Sequence, residues 1–355
     1  MTVARSERVG GLHARVYAPA VGTPKGSVVL VHGVCTSSRV FRHWGPALAE
    51  RGIEAWCVDL RGHGESEGEA DVGSARIADY ADDIEAVLAA SQSAALVGHD
   101  MGGLAAQLVA TRQPLRGLVL VASVAPKGIS GTSNVSLLWR ELRPRYVRAL
   151  FRGKSWQPAP ADASHLLGSK LDAAVLGEVM GWIGPESGVA AREMVLTGIT
   201  IDETKIHCPA LVAATTFDPL TPAERQRQIA RKLRADYVEF AGHAHFPMLE
   251  PGWERPIAVI GRWLEEAARI GETTRASLRR LRSAGESPVP GAVTPSPPPA
   301  KAVVTPMPES AVRPSARAEA SANGDDETKT REVAGNRGRA LVDPPKPTGR
   351  AMLRA

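Results

Sequence analysis

The sequence predicts an α/β fold, in which a mostly parallel sheet is flanked by helices and a helical cap is inserted between two strands. Three observations predict this class. Short apolar runs alternate with longer amphipathic stretches through most of residues 1–270, residues 124–205 interrupt the alternation, and a glycine-flanked turn follows one apolar run. A parallel sheet covered by helices requires such alternation, because each strand is followed by a helix that returns the chain.

The predicted strands are short apolar runs, and the first of them, Leu12–Tyr17, is expected at the edge of the sheet. The buried strands follow at Ser27–Val31, Ile53–Asp59, Ala94–Val97, Gly117–Ala122, Ala210–Thr215 and Tyr237–Phe240. Apolar residues at helical spacing predict helices at His43–Arg51, Ile77–Ala90, Leu104–Arg112, Ala223–Leu233 and Pro256–Ala268.

Residues 124–205 contain helix-like segments without a buried-strand pattern, and three of the seven tryptophans lie there. We interpret this segment as the helical cap. Residues 1–123 and 206–270 are then the two parts of the α/β core. An insertion at the carboxyl edge of a parallel sheet covers the crevice where such sheets bind ligands.

Residues 271–355 differ in composition from the rest of the chain. They contain no Phe, Tyr, Trp, Cys or His, but 12 of the 27 prolines. Such a segment buries too little apolar surface to offset its ordering entropy, so we predict a disordered tail rich in Pro, Ala and Arg. Its 14 Lys/Arg and 9 Asp/Glu account for the net charge of +5. No nucleic-acid-binding signature accompanies this charge, and the sequence indicates no partner for the tail.

Three cysteines, Cys35, Cys57 and Cys208, show no metal-ligand spacing and indicate a reducing compartment. The first residues contain no apolar signal-peptide core, and no apolar run approaches the roughly 18 residues that span a bilayer. We therefore expect a cytoplasmic protein with no membrane span, no metal and no other cofactor. Its expected partner is a small-molecule substrate rather than a nucleic acid.

The turn at residues 98–102, Gly-His-Asp-Met-Gly, lies between a predicted strand and a predicted helix, as a nucleophile elbow does. The nucleophile position holds Asp100. A carboxylate needs no base to become a nucleophile, because its reference pKa is about 3.9. Its attack on an ester carbonyl would give an anhydride, whereas attack on an sp3 carbon gives an ester that water can hydrolyse. Asp100 is therefore predicted to open an epoxide or displace a halide.

Residues 5–268 resemble the α/β-hydrolase fold family. The resemblance rests on His32-Gly33, on residues 59–66 (Asp-Leu-Arg-Gly-His-Gly-Glu-Ser), on the elbow, and on an Asp and a His that follow in the expected order. It implies a catalytic triad in which the His takes a proton from water and the second Asp orients it. It also implies an oxyanion hole made of two backbone N–H groups. The implied triad is Asp100, Asp218 and His245, and the implied oxyanion donors are Val34 and Met101.

Several neighbouring residues compete for these roles. His243 lies in the same loop as His245, but the acid five residues after His245 fits the family pattern better. Cys35 is interpreted as a packed thiol, because the elbow already supplies a nucleophile. His63 and His99 precede glycine-rich turns of the fold and are interpreted as structural.

Two subfamilies with an Asp nucleophile fit in part. Epoxide hydrolases usually hold the oxirane oxygen with two cap tyrosines, and this cap offers Tyr146 as a possible leaving-group donor. Haloalkane dehalogenases usually carry a Trp directly after the nucleophile, where this chain has Met101. Further candidate donors in the cap are Trp139, Trp156, Trp182 and His165.

Residues 118–126 and 251–254 look like bacterial lipases and esterases of the monoacylglycerol-lipase kind, which carry Ser at the elbow. A hydrolase in which Asp replaces Ser, and a non-catalytic binder of small molecules, therefore stay open. The favoured hypothesis is epoxide hydrolysis through an ester on Asp100, with a haloalkane-type dehalogenase as its nearest alternative.

Overall fold

A computed structural model describes residues 2–129, 144–159 and 170–267. These residues form an α/β fold with a mostly parallel sheet between helices, which confirms the predicted class. The tail predicted at residues 271–355 lies outside them. The division into core and cap at residues 123/124 and 205/206 stays a prediction.

Among the described residues, eight strands form the main sheet and two short strands pair separately. In chain order they are β1 (Thr2–Val9), β2 (Leu12–Pro19), β3 (Gly26–Val31), β4 (Ile53–Asp59), β5 (Ala95–His99), β6 (Gly117–Val121), β7 (Ser155–Trp156), β8 (Glu186–Ser187), β9 (Ala210–Thr215) and β10 (Asp236–Phe240). The order in the sheet is β1-β2-β4-β3-β5-β6-β9-β10. The pairs β1/β2 and β2/β4 are antiparallel and the remaining pairs are parallel, whereas β7 and β8 form an antiparallel pair of their own.

Helices cover both faces of the sheet, and further helices lie in the segment at residues 124–205. They are α1 (Trp44–Glu50), α2 (Ile77–Ala90), α3 (Asp100–Arg112), α4 (Pro144–Arg152), α5 (Ala173–Met180), α6 (Gly188–Arg192), α7 (Ala223–Leu233) and α8 (residues 254–267). Alternate residues of one strand enter opposite cores: Val29 and Val31 pack with α2 and α3, whereas Val28 and Leu30 pack with α1 and α8. Both faces of the central strands are therefore buried, as in other parallel sheets.

The edge of the sheet differs from the prediction. Leu12–Tyr17 belongs to β2, which is an inner strand because it pairs with both β1 and β4. The edge strand on this side of the sheet is β1, whose side chains are mostly exposed and include the charged Arg5, Glu7 and Arg8. Such a strand has no apolar face, so the search for apolar runs misses it.

Helix α3 begins at Asp100, four residues before the predicted start at Leu104. Gly102 and Gly103 lower the helix propensity of this first turn, which explains the late prediction. Their role is close packing: a Cβ on Gly103 would lie 2.5 Å from Ser123 Oγ, and one on Gly102 would overlap the backbone of residues 31–32. The glycines thus let the first turn of α3 lie against two neighbouring strands.

The strand order reverses direction between β3 and β5. From β3 the chain moves to β4 on one side, and then crosses to β5 on the other side. Because Val31 pairs with Gly98, the turns that follow these two strands lie next to each other at the carboxyl edge. Open α/β sheets bind their ligands at such a reversal point.

The segment at residues 124–205 contains helices α4, α5 and α6, as predicted, and also the β7/β8 pair, which the sequence does not predict. Strands of two residues are too short to show a period-two pattern. In residues 2–129, 144–159 and 170–267, no helix is long and apolar enough to cross a membrane.

Candidate active site

Asp100 lies at the turn between β5 and α3, with a φ of 52°. A non-glycine residue in this left-handed region carries backbone strain. The turn is held by Val124, whose backbone N–H donates to the carbonyl of Asp100 at 3.0 Å. The carboxylate is 12% exposed, so it is nearly buried but still accessible from the cavity described below. This is the backbone geometry expected of a nucleophile elbow.

The turn after β3 contacts the carboxylate directly. The Val34 N–H donates to Asp100 Oδ2 at 3.0 Å. A Cβ on Gly33 would lie 2.6 Å from both Cβ and Oδ2 of Asp100, so the absence of a side chain there permits the contact. Met101 lies in the first turn of α3, where backbone N–H groups lack intrahelical acceptors and favour a negative charge.

His245 stands between two carboxylates. Its Nδ1 lies 2.8 Å from Asp218 Oδ2, and its Nε2 lies 3.9 Å from Asp100 Oδ1. The first distance is a hydrogen bond and the second is an ion-pair distance. Asp218 is fixed in turn, because its Oδ1 accepts the N–H groups of Leu220 and Thr221 at 2.8 and 2.9 Å. The structure therefore brings together Asp100, Asp218 and His245, whose catalytic roles stay a prediction.

The loop that carries His245 is held by Glu250, the acid five residues later. Its carboxylate accepts the N–H groups of Ala244 at 2.7 Å and Phe246 at 3.1 Å, on either side of His245. His243 instead lies beside Glu250, with Nδ1 3.3 Å from Oε2. The geometry therefore favours His245 over His243 as the partner of Asp100.

The charges of the site stabilise one another. Burial disfavours ionisation of Asp100, but His245, His99 and the Val34 N–H lower its pKa to about 2. Burial likewise disfavours the charged form of His245, but Asp218 and Asp100 raise its pKa to about 10. Near neutral pH the site thus holds an imidazolium between two carboxylates.

His99 contacts the backbone of His245. Its Nε2 lies 2.8 Å from the carbonyl of His245, to which it donates, and burial followed by the charge of His245 lowers its pKa to about 4. A neutral His99 adds no second positive charge. This agrees with its interpretation as a structural residue.

A cavity of about 430 Å³ opens above Asp100. Its walls are mostly apolar and come from the turn after β3, from residues 123–129, and from the segment that contains α4 and α6. Several side chains of residues 124–205 that carry an N–H or O–H group line the cavity together with Asp100: Lys127, Tyr146, Trp156 and Thr197. A mostly apolar cavity with a few polar groups is typical of small-molecule sites.

The candidate leaving-group donors differ in their hydrogen-bond partners and in whether they line the cavity. The Tyr146 oxygen accepts the Ala159 N–H at 3.0 Å. The buried Nε1–H of Trp156 has no acceptor among the described residues. Trp182 does not line the cavity and stacks under the Arg42 guanidinium at 4.9 Å. Trp139 and His165 lie outside the described residues.

Two features near the site go beyond the sequence prediction. Cys35 is a free and buried thiol, as interpreted, but its φ is 60°. The sequence does not single out Glu186, which is fully buried and accepts the Cys35 N–H at 3.1 Å. An isolated Glu in a loop-like stretch carries no motif that would have identified it.

Comparison with known proteins places this geometry in a family. A profile described as the alpha/beta hydrolase family matches residues 28–262, about two thirds of the chain. No curated protein sequence matches the chain significantly.

Among solved structures, three similar ones illustrate the likeness. A monoacylglycerol lipase of Paleococcus ferrophilus is 21% identical with a TM-score of 0.55, covering 75% of this chain and 99% of its own. A thermophilic esterase of Thermogutta terrifontis is 23% identical with a TM-score of 0.55, covering 76% and 99%. The enol-lactonase of Burkholderia xenovorans LB400 is 22% identical with a TM-score of 0.57, covering 74% and 99%. At these identities the likeness is one of fold.

Proposed function

Because this chain belongs to the alpha/beta hydrolase family, we propose that it hydrolyses a small epoxide through a covalent ester on Asp100. The family makes it a hydrolase of the α/β fold. The nucleophile and the substrate are the proposal. One observation carries it: Asp100 presents an ionised carboxylate to the cavity, with Oδ2 bonded to the Val34 N–H and Oδ1 beside His245.

In the first step Asp100 Oδ1 attacks a carbon of the epoxide, and the bond between that carbon and the ring oxygen breaks. The carboxylate becomes an ester, and the ring oxygen takes up one proton to become a hydroxyl. His245 starts as an imidazolium and must lose one proton before it can act as a base. The ring oxygen gains one proton and His245 loses one, so the number of protons in the complex does not change in this step.

In the second step water attacks Cγ of the ester. Neutral His245 accepts the proton of the water, and the negative charge develops on Oδ2. The Val34 N–H already lies 3.0 Å from that oxygen, so it stabilises the oxyanion without rearrangement. The Cγ–Oδ1 bond then breaks, and Oδ1 takes up the second proton of the attacking water, so the diol leaves with Oδ1 and Cγ keeps the water oxygen as part of a carboxylate. The first proton of the water stays on His245, which restores the imidazolium.

The ester itself prepares His245 for the second step. The pKa of His245 is raised to about 10 partly by the negative charge of Asp100. Ester formation removes that charge, so the pKa of His245 falls and the neutral imidazole becomes accessible at lower pH. His245 therefore becomes able to act as a base only after Asp100 has formed the ester.

The departing oxygen needs donors on the side of the cavity opposite Asp100. Tyr146 and Trp156 are the candidates, because both line the cavity and belong to the segment that covers it. Haloalkane dehalogenation is the second candidate function, because a halide leaves without taking up a proton. Both functions share the ester on Asp100 and differ in the leaving group.

The ester is the feature to test. His245→Gln is expected to accumulate it, because alkylation needs no base whereas hydrolysis does. Intact-mass spectrometry after incubation with a panel of terminal and internal epoxides measures the adduct, and peptide mapping locates it. Asp100→Asn/His245→Gln is the matched control and should form none.

A second measurement uses isotopic water. In H₂¹⁸O, repeated turnover of the native enzyme is expected to place ¹⁸O in the Asp100 carboxylate, since Oδ1 leaves with each product. Turnover without label in Asp100 would contradict the ester mechanism. Release of bromide or chloride from haloalkanes, with no epoxide turnover, would favour the dehalogenase.

A further inference from the structure

Glu186 is a buried carboxylate that the proposed reaction does not use. It is fully buried, and both of its oxygens are occupied. Oε1 accepts the Tyr80 hydroxyl and the Ser187 N–H, each at 2.7 Å. Oε2 accepts the Cys35 N–H at 3.1 Å and lies 3.2 Å from His63 Nε2. A buried carboxylate with four donors is costly to desolvate, and its presence is weak evidence for stability alone.

The hydrogen bonds fix the charge of its partner. His63 Nδ1 lies 2.9 Å from the carbonyl of Arg61, and Nε2 faces the Glu186 carboxylate. Both neighbours are acceptors, so both ring nitrogens carry protons and His63 is an imidazolium. Its raised pKa agrees: burial opposes the charge, but Glu186 outweighs burial. His32, whose ring centre is 5.1 Å away, stays neutral because its Nε2 accepts the Leu60 N–H.

The backbone contact of Glu186 lies one residue from the Asp100 contact. Cys35 adopts a φ of 60°, which a side chain other than glycine adopts only under strain of about 1–3 kcal/mol. Such a conformation persists when the surroundings hold it. Here the Glu186 carboxylate accepts the Cys35 N–H, and the Gly184 N–H donates to the Cys35 carbonyl at 2.9 Å. Residues 184–186 thus hold both sides of this strained residue.

We propose that Glu186 is a positioning residue, which holds Cys35 in its strained conformation and thereby aims the neighbouring Val34 N–H at Asp100 Oδ2. The effect of this contact on the reaction rate rests on the proposed function, in which the Val34 N–H stabilises the oxyanion. The contact itself is measurable without any substrate. An experiment can therefore contradict the role of Glu186 without contradicting the proposed function, and the reverse.

Glu186→Gln is the informative substitution because an amide cannot satisfy this site. A carboxylate accepts on both oxygens, whereas an amide oxygen accepts and its nitrogen donates. In either orientation the new NH₂ group faces a backbone N–H, that of Cys35 or that of Ser187. The variant keeps the volume of the side chain. The Cys35 N–H then either loses its acceptor or donates to an uncharged amide oxygen, which accepts more weakly than a carboxylate.

Glu193→Gln is the matched control. Glu193 is also buried, lies in the same segment, and accepts a backbone N–H, that of Ile77 at 2.9 Å. Its contacts hold the start of α2 rather than the turn after β3. The same chemical change is therefore made at a comparable site that does not touch Cys35 or Val34.

The first readout is the pKa of Asp100, measured by ¹³C NMR of the carboxyl carbon. Glu186→Gln is expected to raise it, because the Val34 N–H is one of the groups that lower it. Glu193→Gln is expected to leave it unchanged. The second readout is the rate of ester hydrolysis, which should fall roughly 10- to 100-fold in Glu186→Gln, since one oxyanion donor is displaced.

An Asp100 pKa in folded Glu186→Gln equal to that of the native protein would overturn the inference. If the native enzyme formed no ester, the proposed function would fail while the NMR result still decided the role of Glu186. If Glu186→Gln did not fold, amide hydrogen exchange of Cys35 in the native protein would test whether the turn at Cys35 is held in place. Protection close to that of the core supports a held turn, and exchange as fast as in an exposed loop overturns it.

Discussion

His245 Nε2 lies 3.9 Å from Asp100 Oδ1, while Nδ1 of the same ring is bonded to Asp218. The imidazolium therefore balances two carboxylates, and loss of either charge changes its proton affinity.

Asp100→Asn is expected to lower the pKa of His245 from about 10 by one unit or more. The asparagine removes a negative charge at ion-pair distance, and each unit corresponds to about 1.4 kcal/mol of lost interaction. Titration of the imidazole by NMR measures the change. Asp71→Asn, at an exposed position, is the control. An unchanged His245 would mean that Asp100 does not set its charge, and would remove the argument for a base released by ester formation.

The two chemical steps are expected to differ in their dependence on pH. Ester formation needs ionised Asp100, whose lowered pKa of about 2 keeps it ionised, so its rate should be constant from about pH 4 to 9. Ester hydrolysis needs neutral His245, so its rate should rise with pH through a pKa below 10. Single-turnover kinetics with mass detection of the ester separates the two steps. A hydrolysis rate that falls as pH rises would contradict the role of His245 as base.

Tyr146→Phe is expected to slow epoxide opening roughly 100-fold, because a hydroxyl that can transfer a proton to the ring oxygen is lost. Trp156→Phe should slow it only several-fold, since the Trp156 ring lines the cavity while its Nε1–H is buried. The measurement is the rate of ester formation, with Tyr237→Phe as a control outside the cavity. Equal and small effects of both substitutions would show that the leaving group is held by other residues.

Gly33→Ala is expected to reduce ester formation by about 100-fold or more. Its Cβ would lie 2.6 Å from both Cβ and Oδ2 of Asp100, so the carboxylate must move, and a displacement near 1 Å is costly for a reacting group. Gly26→Ala in the same strand-and-turn unit is the control, because nothing lies within 4 Å of the added Cβ. Steady-state rates together with thermal unfolding separate loss of activity from loss of fold. Full activity of folded Gly33→Ala would show that Asp100 does not need this position.

The sequence predicts the buried strands and the elbow well, because both carry strong local signals. The bounds of β4, β9, α2 and α7 agree with the prediction to the residue. It misses β1, whose charged side chains carry no apolar pattern, and it misses the β7/β8 pair, which is too short for one. Local signals reach as far as a strand, a turn or a helix. The β7/β8 pair depends on neighbours distant in sequence, whereas β1 forms a hairpin with the adjacent β2 across Gly10-Gly11.

The same limit applies to the site. Asp100, Asp218 and His245 follow strand ends in an order that the sequence displays, so their proximity is predictable. Glu186 contacts residues 106 and 123 positions away, and no spacing along the chain records that. Trp156 is visible as a tryptophan, but its place in the cavity wall depends on how the segment folds over the sheet.

The pairing of Trp156 with Glu186 in the β7/β8 ladder has a consequence for engineering. One residue of the pair lines the cavity and the other bonds the turn beside the nucleophile. Exchange of the inserted segment for that of another hydrolase would change the shape of the cavity and remove the anchor of Cys35 in the same operation. A graft designed to alter substrate range should therefore retain both strands, and should vary the residues between them.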